Sequence, residues 1–297
     1  MNWDTSNRRA PTIPPPGKRL RLLIDTDAKN EIDDQYALAL AITSPERFAI
    51  EGFVGANYDN ARGGPEGVQK SVDEINLVLD KAGMTGKWPV LRGSHPMQYQ
   101  FQPSESEGVD FIVERAMAGS PEDPLWVVGL GAATDMASAF LKEPAILDRV
   151  AVFWHFRTRW PEKCYNFNVL GDVRAARVLF HSPLPFVLFD TGTYLTLPME
   201  ESERELQPYG ALGAYLHDYR TTSAGFMSPR KGFFDLGDIA ALLDPSLACW
   251  EVTDCPEVGW DLDYDFSRPR GSILRCYHVD RDRTFELLYD HMRRYFG

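Results

Sequence analysis

Four aspartates, Asp25, Asp27, Asp33 and Asp34, stand between an apolar run of strand length and an apolar run of helical length in the segment LLIDTDAKNEIDDQYALAL, residues 22–40. A strand-to-helix turn of this kind belongs at the carboxyl edge of an open parallel sheet, where such sheets bind their ligands. Carboxylates gathered there repel one another unless a cation sits among them, and hard oxygen ligands suit Ca²⁺ or Mg²⁺. One or two of the four could serve as a helix cap or a loop hydrogen-bond acceptor. Four exceed what capping requires.

The rest of the chain supplies the sheet that such a turn needs. Apolar runs of strand length alternate with stretches of helical period: RLRLLID (19–25), DDQYALALAI (33–42), FAIEGFVGA (48–56), then residues 67–83. In the last of these Val68, Val72, Ile75, Val78 and Leu79 recur at helical spacing, so one face packs on a sheet. Further strands are expected at WPVL (88–91), PLWVVGL (124–130), RVAVFW (149–154) and LPFVLF (184–189), with helices starting near Thr134 and Asp172. The alternation predicts an α/β fold, a mainly parallel, Rossmann-like central sheet flanked by helices.

From Met199 the pattern changes to a polar helical stretch, an aromatic and Gly-rich loop (221–234), a helix from Gly237 and alternating segments at 248–252 and 272–278. These are expected as an added layer over one sheet edge. A closing helix over 283–295 carries Phe285, Leu288, Met292 and Tyr295 at helical spacing. Residues 1–18, with the run Pro14-Pro15-Pro16, are expected as a flexible arm, leaving 19–297 as a single domain.

Composition narrows the partners. The formal charge of −12 repels polyanions, and no Lys/Arg run with interleaved aromatics offers a nucleic-acid groove. No segment approaches the roughly 20 apolar residues of a membrane span, and the first 19 residues lack the apolar stretch of a secretory signal, so a cytoplasmic location is expected. Cys164, Cys249, Cys255 and Cys276 form no CxxC pair, which points to reduced structural thiols. A small molecule is the expected partner.

An Asp-x-Asp ending the first strand, followed by an Asp-Asp pair opening a helix, resembles the inosine-uridine preferring nucleoside hydrolase family. VVGLGAATD (127–135) is similar to its Gly-x-x-Thr segment, YNFNVLGDVRAA (165–176) to its Phe-Asn-x-x-x-Asp segment, and DLGDIAALLDP (235–245) to its metal-binding Asp segment. The resemblance implies Ca²⁺-dependent hydrolysis of the N-glycosidic bond of a ribonucleoside or related ribosyl compound. It implies one Ca²⁺ held by carboxylates of Asp27, Asp34 and Asp238 and the backbone carbonyl of Thr134, with Asp27 also accepting the proton of the attacking water. Asp33 and Asn168 are the family-like residues for the ribose hydroxyls, Asn57 is a further sugar candidate, and relatives of this kind form homodimers or homotetramers.

Three departures qualify that likeness. The insert AKNEI between Asp27 and Asp33 is two residues longer than the common family bend, which brings Asn30 and Glu31 toward the sugar site and leaves open whether Asp33 or Asp34 ligates the ion. At the sugar's 5′ end Asn166 replaces a common Glu and Trp160 a common Asn, near Arg157, Arg159 and Lys163. Those basic residues form either a solvated loop or a site for a 5′-phosphorylated or modified substrate. Gly237 precedes Asp238 where relatives carry a histidine that protonates the leaving base. That task falls to His155, His95 or His217, or to stacking by Trp154, Trp160, Phe226 or Phe233. A non-catalytic, metal-dependent nucleoside or sugar binder is the rival reading, whereas a phosphatase of the haloacid dehalogenase type is disfavoured by Lys29 and by the Asp33-Asp34 pair.

Overall fold

The computed structural model describes residues 3–223 and 226–297. Six strands alternate with helices through the first two thirds of the chain: β1 (Leu20–Thr26), β2 (Phe48–Gly55), β3 (Val90–Arg92), β4 (Leu125–Gly129), β5 (Val150–Phe156) and β6 (Phe186–Asp190). The intervening helices are α1 (Asp33–Ile42), α2 (Gly67–Lys81), α3 (Glu107–Met117), α4 (Thr134–Lys142), α5 (Phe167–Gly171) and α6 (Val173–His181). Then follow the hairpin-like pair β7 (Thr196–Pro198) and β8 (Arg230–Gly232), with α7 (Met199–Glu205) and α8 (Gly210–Thr222) between them. The chain closes with α9 (Leu236–Leu243), β9 (Ala248–Asp254), the small pair β10 (Glu257–Val258) and β11 (Tyr264–Asp265), β12 (Ser272–Val279) and α10 (Arg281–Phe296).

Eight of these strands form one sheet in the order β3-β2-β1-β4-β5-β6-β12-β9, parallel throughout except where β9 runs against β12. β4, β5 and β6 are buried along their whole length, as strands of a sheet covered on both faces must be. One face carries α1, α2, α8, α9 and α10, the other α3, α4 and α6. Each fully buried Leu or Ile in these layers contributes roughly 1.5–3 kcal/mol over leaving it exposed. α1 is buried at every position because it lies between the sheet and the helices α9 and α10, which explains its near-continuous apolar text.

One expectation is corrected. The segments after Met199 do not form a layer over the sheet edge: β12 pairs in parallel with β6, and β9 continues the same sheet as its edge strand. The proline-rich start packs against the domain. Arg8 is buried and donates to the carbonyls of Leu184, Phe180 and Leu179, while Arg47 donates to those of Pro14, Pro15 and Lys18. Prolines lack an N–H, yet their carbonyls still accept, and two buried guanidinium groups use them and the end of α6 as anchors. The aromatic and Gly-rich loop includes residues 224 and 225, which lie outside the described residues. Among the described residues no helix is long and apolar enough to cross a membrane.

Candidate functional site

The chain runs β1 to β2 to β3 toward one sheet edge, then returns to place β4, β5 and β6 on the other side of β1. Beyond the carboxyl ends of β1 and β4 the two halves diverge and leave a crevice. Asp25 pairs in register with Gly129, so Asp27, two residues on, emerges beside Gly131 in the turn after β4. A cleft of ≈ 390 Å³ opens there, lined by Asp27, Asn30, Glu31, Asp33, Asp34, Leu130, His155, Arg157, Tyr165, Asn166, Phe167, Asn168, Phe234 and Asp235. A Cβ on Gly131 would lie 3.1 Å from the Asp27 side chain and from Ala56, so a larger residue would crowd the turn after β4 against Asp27.

Asp33, Asp34 and Asp235 are buried, and each offers an oxygen within 4.8 Å of the others. Burial, with Asp34 and Asp33 nearby, raises the Asp27 pKa well above the carboxylate range. Burial and Asp33 push Asp34 up to about 7, and burial with the surrounding aspartates raises Asp235 strongly. Few donors compensate. Asp27 accepts from the Asn30 amide (3.1 Å), Asp33 from the Phe234 N–H (3.1 Å), and Asp34 from the Thr26 hydroxyl. Buried carboxylates without enough donors must hold protons or surround a cation. The donor set here, several carboxylates on one cleft, is the oxygen-rich kind that a hard divalent ion prefers.

The structure brings together most of the residues singled out in the sequence, but not all. Asp27, Asn30, Asp33, Asp34, Asn166 and Asn168 line the cleft. Asn168 donates to the carbonyls of Leu130 (2.7 Å) and His155 (3.4 Å), which ties the α5 segment to the ends of β4 and β5. Asn166 caps α5 by accepting from the Val169 N–H (2.9 Å). Asp238 does not line the cleft. It is fully buried, with its Oδ2 2.7 Å from His155 Nδ1 and its Oδ1 without a partner among the described residues, and with His155 and Asp235 it forms a group close enough to hold an ion. Asp235, one helical turn earlier, lines the cleft and lies 3.3 Å from the same His155 nitrogen. A Cβ on Gly237 would lie 2.7 Å from the Phe189 ring, against the core, whereas Phe234 faces the cleft.

Thr134 and Asn57 lie beneath the cleft rather than on it. Thr134 opens α4, and its hydroxyl joins Asn57 Nδ2 (2.9 Å) to Asp172 Oδ2 (3.0 Å). Leu130, just past the end of β4, lines the cleft, and its carbonyl accepts from the Asn168 amide. Trp160 packs against Tyr264, Phe266 and the Arg275 guanidinium, away from the cleft. Among the histidines named above, His155 alone lines it. His95 pairs with Asp59 at the surface and His217 bonds Ser202. Burial disfavours the protonated His155, but Asp238 outweighs this and raises its pKa, while Asp238 itself sits at about 6 because burial exceeds the pull of the imidazole. Trp154, Phe226 and Phe233 are core residues, and the aromatic faces at the cleft belong to Tyr165, Phe167 and Phe234.

Asp235, Leu130 and Phe234 are therefore the site residues that sequence reasoning missed. Asp235 and Asp238 are three residues apart at the start of one helix, and spacing alone does not say which faces outward. Leu130 meets Asn168 through its backbone carbonyl, which no side-chain pattern marks.

The likeness to known proteins agrees with this geometry. The family model for inosine-uridine preferring nucleoside hydrolase matches residues 22–284. A purine-preferring ribonucleoside hydrolase from Gardnerella vaginalis superposes with a TM-score of 0.72 at 21% identity, over 93% of this chain and 98% of that one. A plant nucleoside hydrolase superposes with a TM-score of 0.70 at 19% identity, over 93% of this chain and 99% of the other. For an inosine-uridine preferring nucleoside hydrolase from Bacillus anthracis the TM-score is 0.71 at 13% identity, covering 93% of this chain and 100% of that chain. A sequence comparison with curated proteins gives no match.

Proposed function

Because the chain belongs to the inosine-uridine preferring nucleoside hydrolase family, and so hydrolyses nucleoside N-glycosidic bonds, we propose that it does so with Ca²⁺ on a ribonucleoside or related ribosyl substrate. The observation that carries this reading is the convergence of Asp27, Asp33, Asp34 and Asp235 on one cleft at the point where the strand order reverses. Asp27, Asp34 and Asp235 are the carboxylates assigned to the ion. Asp238 stays a metal candidate beside Asp235, since one of its oxygens is buried without a partner among the described residues and it groups with His155 and Asp235 closely enough to hold an ion. Leu130 joins Thr134 as a candidate for the carbonyl ligand. When bound, Ca²⁺ supplies a positive centre that orients vicinal sugar hydroxyls and a water without acidifying that water strongly.

A base is therefore needed, and Asp27 is its natural seat: buried past the end of β1, with one oxygen steadied by Asn30. Asp33 and Asn168 flank the same floor and take the ribose hydroxyls. As the C–N bond breaks, positive charge grows on the sugar ring, and the aspartates lie where it develops. Tyr165, Phe167 and Phe234 offer aromatic faces to the departing base, and His155, held by Asp238, stands at the floor among them. The side chains of Asn57 and Thr134 act at one remove, through the network that holds the turn after β4. A location in the cytoplasm and assembly into homodimers or homotetramers are part of the same proposal.

The test is release of free base and reducing sugar from a panel of ribonucleosides, with Ca²⁺ and with chelator, for the intact protein and Asp27→Ala. Release that requires the metal and Asp27 supports the hydrolase. Ribose-dependent stabilisation of a Ca²⁺-loaded protein without turnover would overturn it in favour of a binding protein.

A further inference from the structure

The cleft holds one arginine or lysine among its lining residues, and that residue has no acidic partner. Arg157 follows the last residue of β5 and is exposed to solvent at the rim. Among the described residues its guanidinium forms no hydrogen bond or ion pair, although Glu31 and four aspartates line the same cleft. The neighbouring cation behaves differently: Lys231 is taken up by Glu31 (2.6 Å) and the Gly232 carbonyl. Arg159 and Lys163 do not line the cleft, and Lys163 pairs with Asp263.

Arg157 is nevertheless held in place. Its guanidinium lies 4.1 Å from the centroid of the Phe234 ring, and the Phe234 N–H is bound to Asp33, so the ring is fixed to the acidic floor. Stacking on an aromatic face occupies the plane of a guanidinium and leaves its five N–H groups pointing outward in a fork. The group is close enough to His155 to oppose its protonation. On the other side, Asn168 is tied to the His155 carbonyl, which brings Asn166 to the same stretch of rim. Asn166 contributes a neutral amide there, so no carboxylate at that position repels an anion. A planar, stacked, unpaired fork beside neutral amides is the arrangement that binds phosphate or carboxylate.

We propose, building on the hydrolase reading, that the preferred substrate carries an anionic group, a phosphate or a carboxylate, which Arg157 engages at the rim while the sugar hydroxyls face the aspartates. The anion can come from either end of a nucleoside: a phosphate on the sugar or a carboxylate on the base. Lining by four aspartates sets the division of labour, since an anion placed on the floor meets repulsion and one placed at Arg157 meets the cleft's one guanidinium.

Three pyrimidine compounds separate the sources: uridine, uridine 5′-monophosphate and orotidine, whose base bears a carboxylate. Hydrolysis by the Ca²⁺-loaded protein is compared for the native chain, Arg157→Gln and Arg157→Lys. One anionic compound should exceed uridine in kcat/KM by about tenfold or more, and Arg157→Gln should collapse that ratio by about 10- to 100-fold, with partial retention in Arg157→Lys. Which compound responds identifies the end that carries the anion. A ratio unchanged in Arg157→Gln overturns the inference, and continued uridine cleavage would then leave the hydrolase reading standing. If nothing is cleaved, ligand-induced rises in Tm decide. An Arg157-dependent advantage of ribose 5-phosphate over ribose, or of orotate over uracil, supports the anion site while the hydrolase reading fails, and no such advantage removes both.

Discussion

Two groups of buried aspartates lie side by side under the same strand ends and are neutralised differently. The open group, Asp27, Asp33, Asp34 and Asp235, faces the cleft and one another with few donors. The sealed group, Asp25, Asp135 and Asp172, faces protein. Asp172 accepts from the Met97 and Ala175 N–H groups and the Thr134 hydroxyl, and Asp135 from the Ser94 N–H. Among the described residues Asp25 has no donor: burial, Asp135 and Asp27 raise its pKa well above the carboxylate range, and burial pushes Asp135 up to about 7. Where backbone N–H groups are available the carboxylate is structural. Where none is and the site is sealed, a bound proton settles the charge, and where the site is open a cation can.

The comparison breaks most visibly at Asp27. Asp27→Ala should lower kcat for nucleoside cleavage by about three orders of magnitude or more, since it removes the base and a metal carboxylate together. Circular dichroism and Tm should show the fold intact. Residual activity within tenfold of the native value would show that the open group is not the catalytic one.

Next in size is the contrast within DLGD. Asp235→Asn should weaken Ca²⁺ binding by at least about 100-fold, whereas Asp238→Asn, at the carboxylate bound to His155, should cost about tenfold. Isothermal titration of both variants decides, and the reverse order would make Asp238 the principal ligand of the two.

Stability against pH sharpens the distinction further. A carboxyl whose pKa is raised on folding keeps its proton where the unfolded chain, with a pKa of about 4, has lost it. Its stabilising effect is thus full below about pH 4 and lost as pH rises through the folded value. With Asp34 and Asp135 both at about 7, Tm of the metal-free protein should fall between about pH 5 and 8. Added Ca²⁺ should raise Tm more at the upper end, because only ionised ligands bind it. A Ca²⁺ effect that does not grow with pH would argue against carboxylate ligation.

The smallest effect belongs to the sealed pair. In Asp25→Asn an amide of similar shape replaces a protonated carboxyl, so stability in urea should change by less than about 1 kcal/mol at neutral pH. A larger loss would mean that Asp25 is ionised in the native protein.

Much of this was legible in the residues. The strand at Leu20–Thr26, the helix opening at Asp33 and the strands around 125–129, 150–156 and 186–190 follow from periodicity, which local sterics and burial impose directly. The clustering of Asp27, Asp33 and Asp34 follows from their place in one strand-to-helix turn. Other features depended on partners distant in sequence. The edge position of β9, the anchoring of Arg8 at the end of α6, the retreat of Trp160 into an aromatic cluster and the burial of Thr134 beneath the cleft each arise from contacts across the fold.

The sequence by itself determined the alternation that builds the parallel sheet and the acidic turn at its carboxyl edge, because both are written in neighbouring residues. Only the tertiary structure decided that Asp235 rather than Asp238 faces the cleft. Gly237 leaves no room for a Cβ beside Phe189, a contact between residues far apart in the chain, and one turn of α9 separates Asp235, which lines the cleft, from Asp238, which is sealed beneath it against His155.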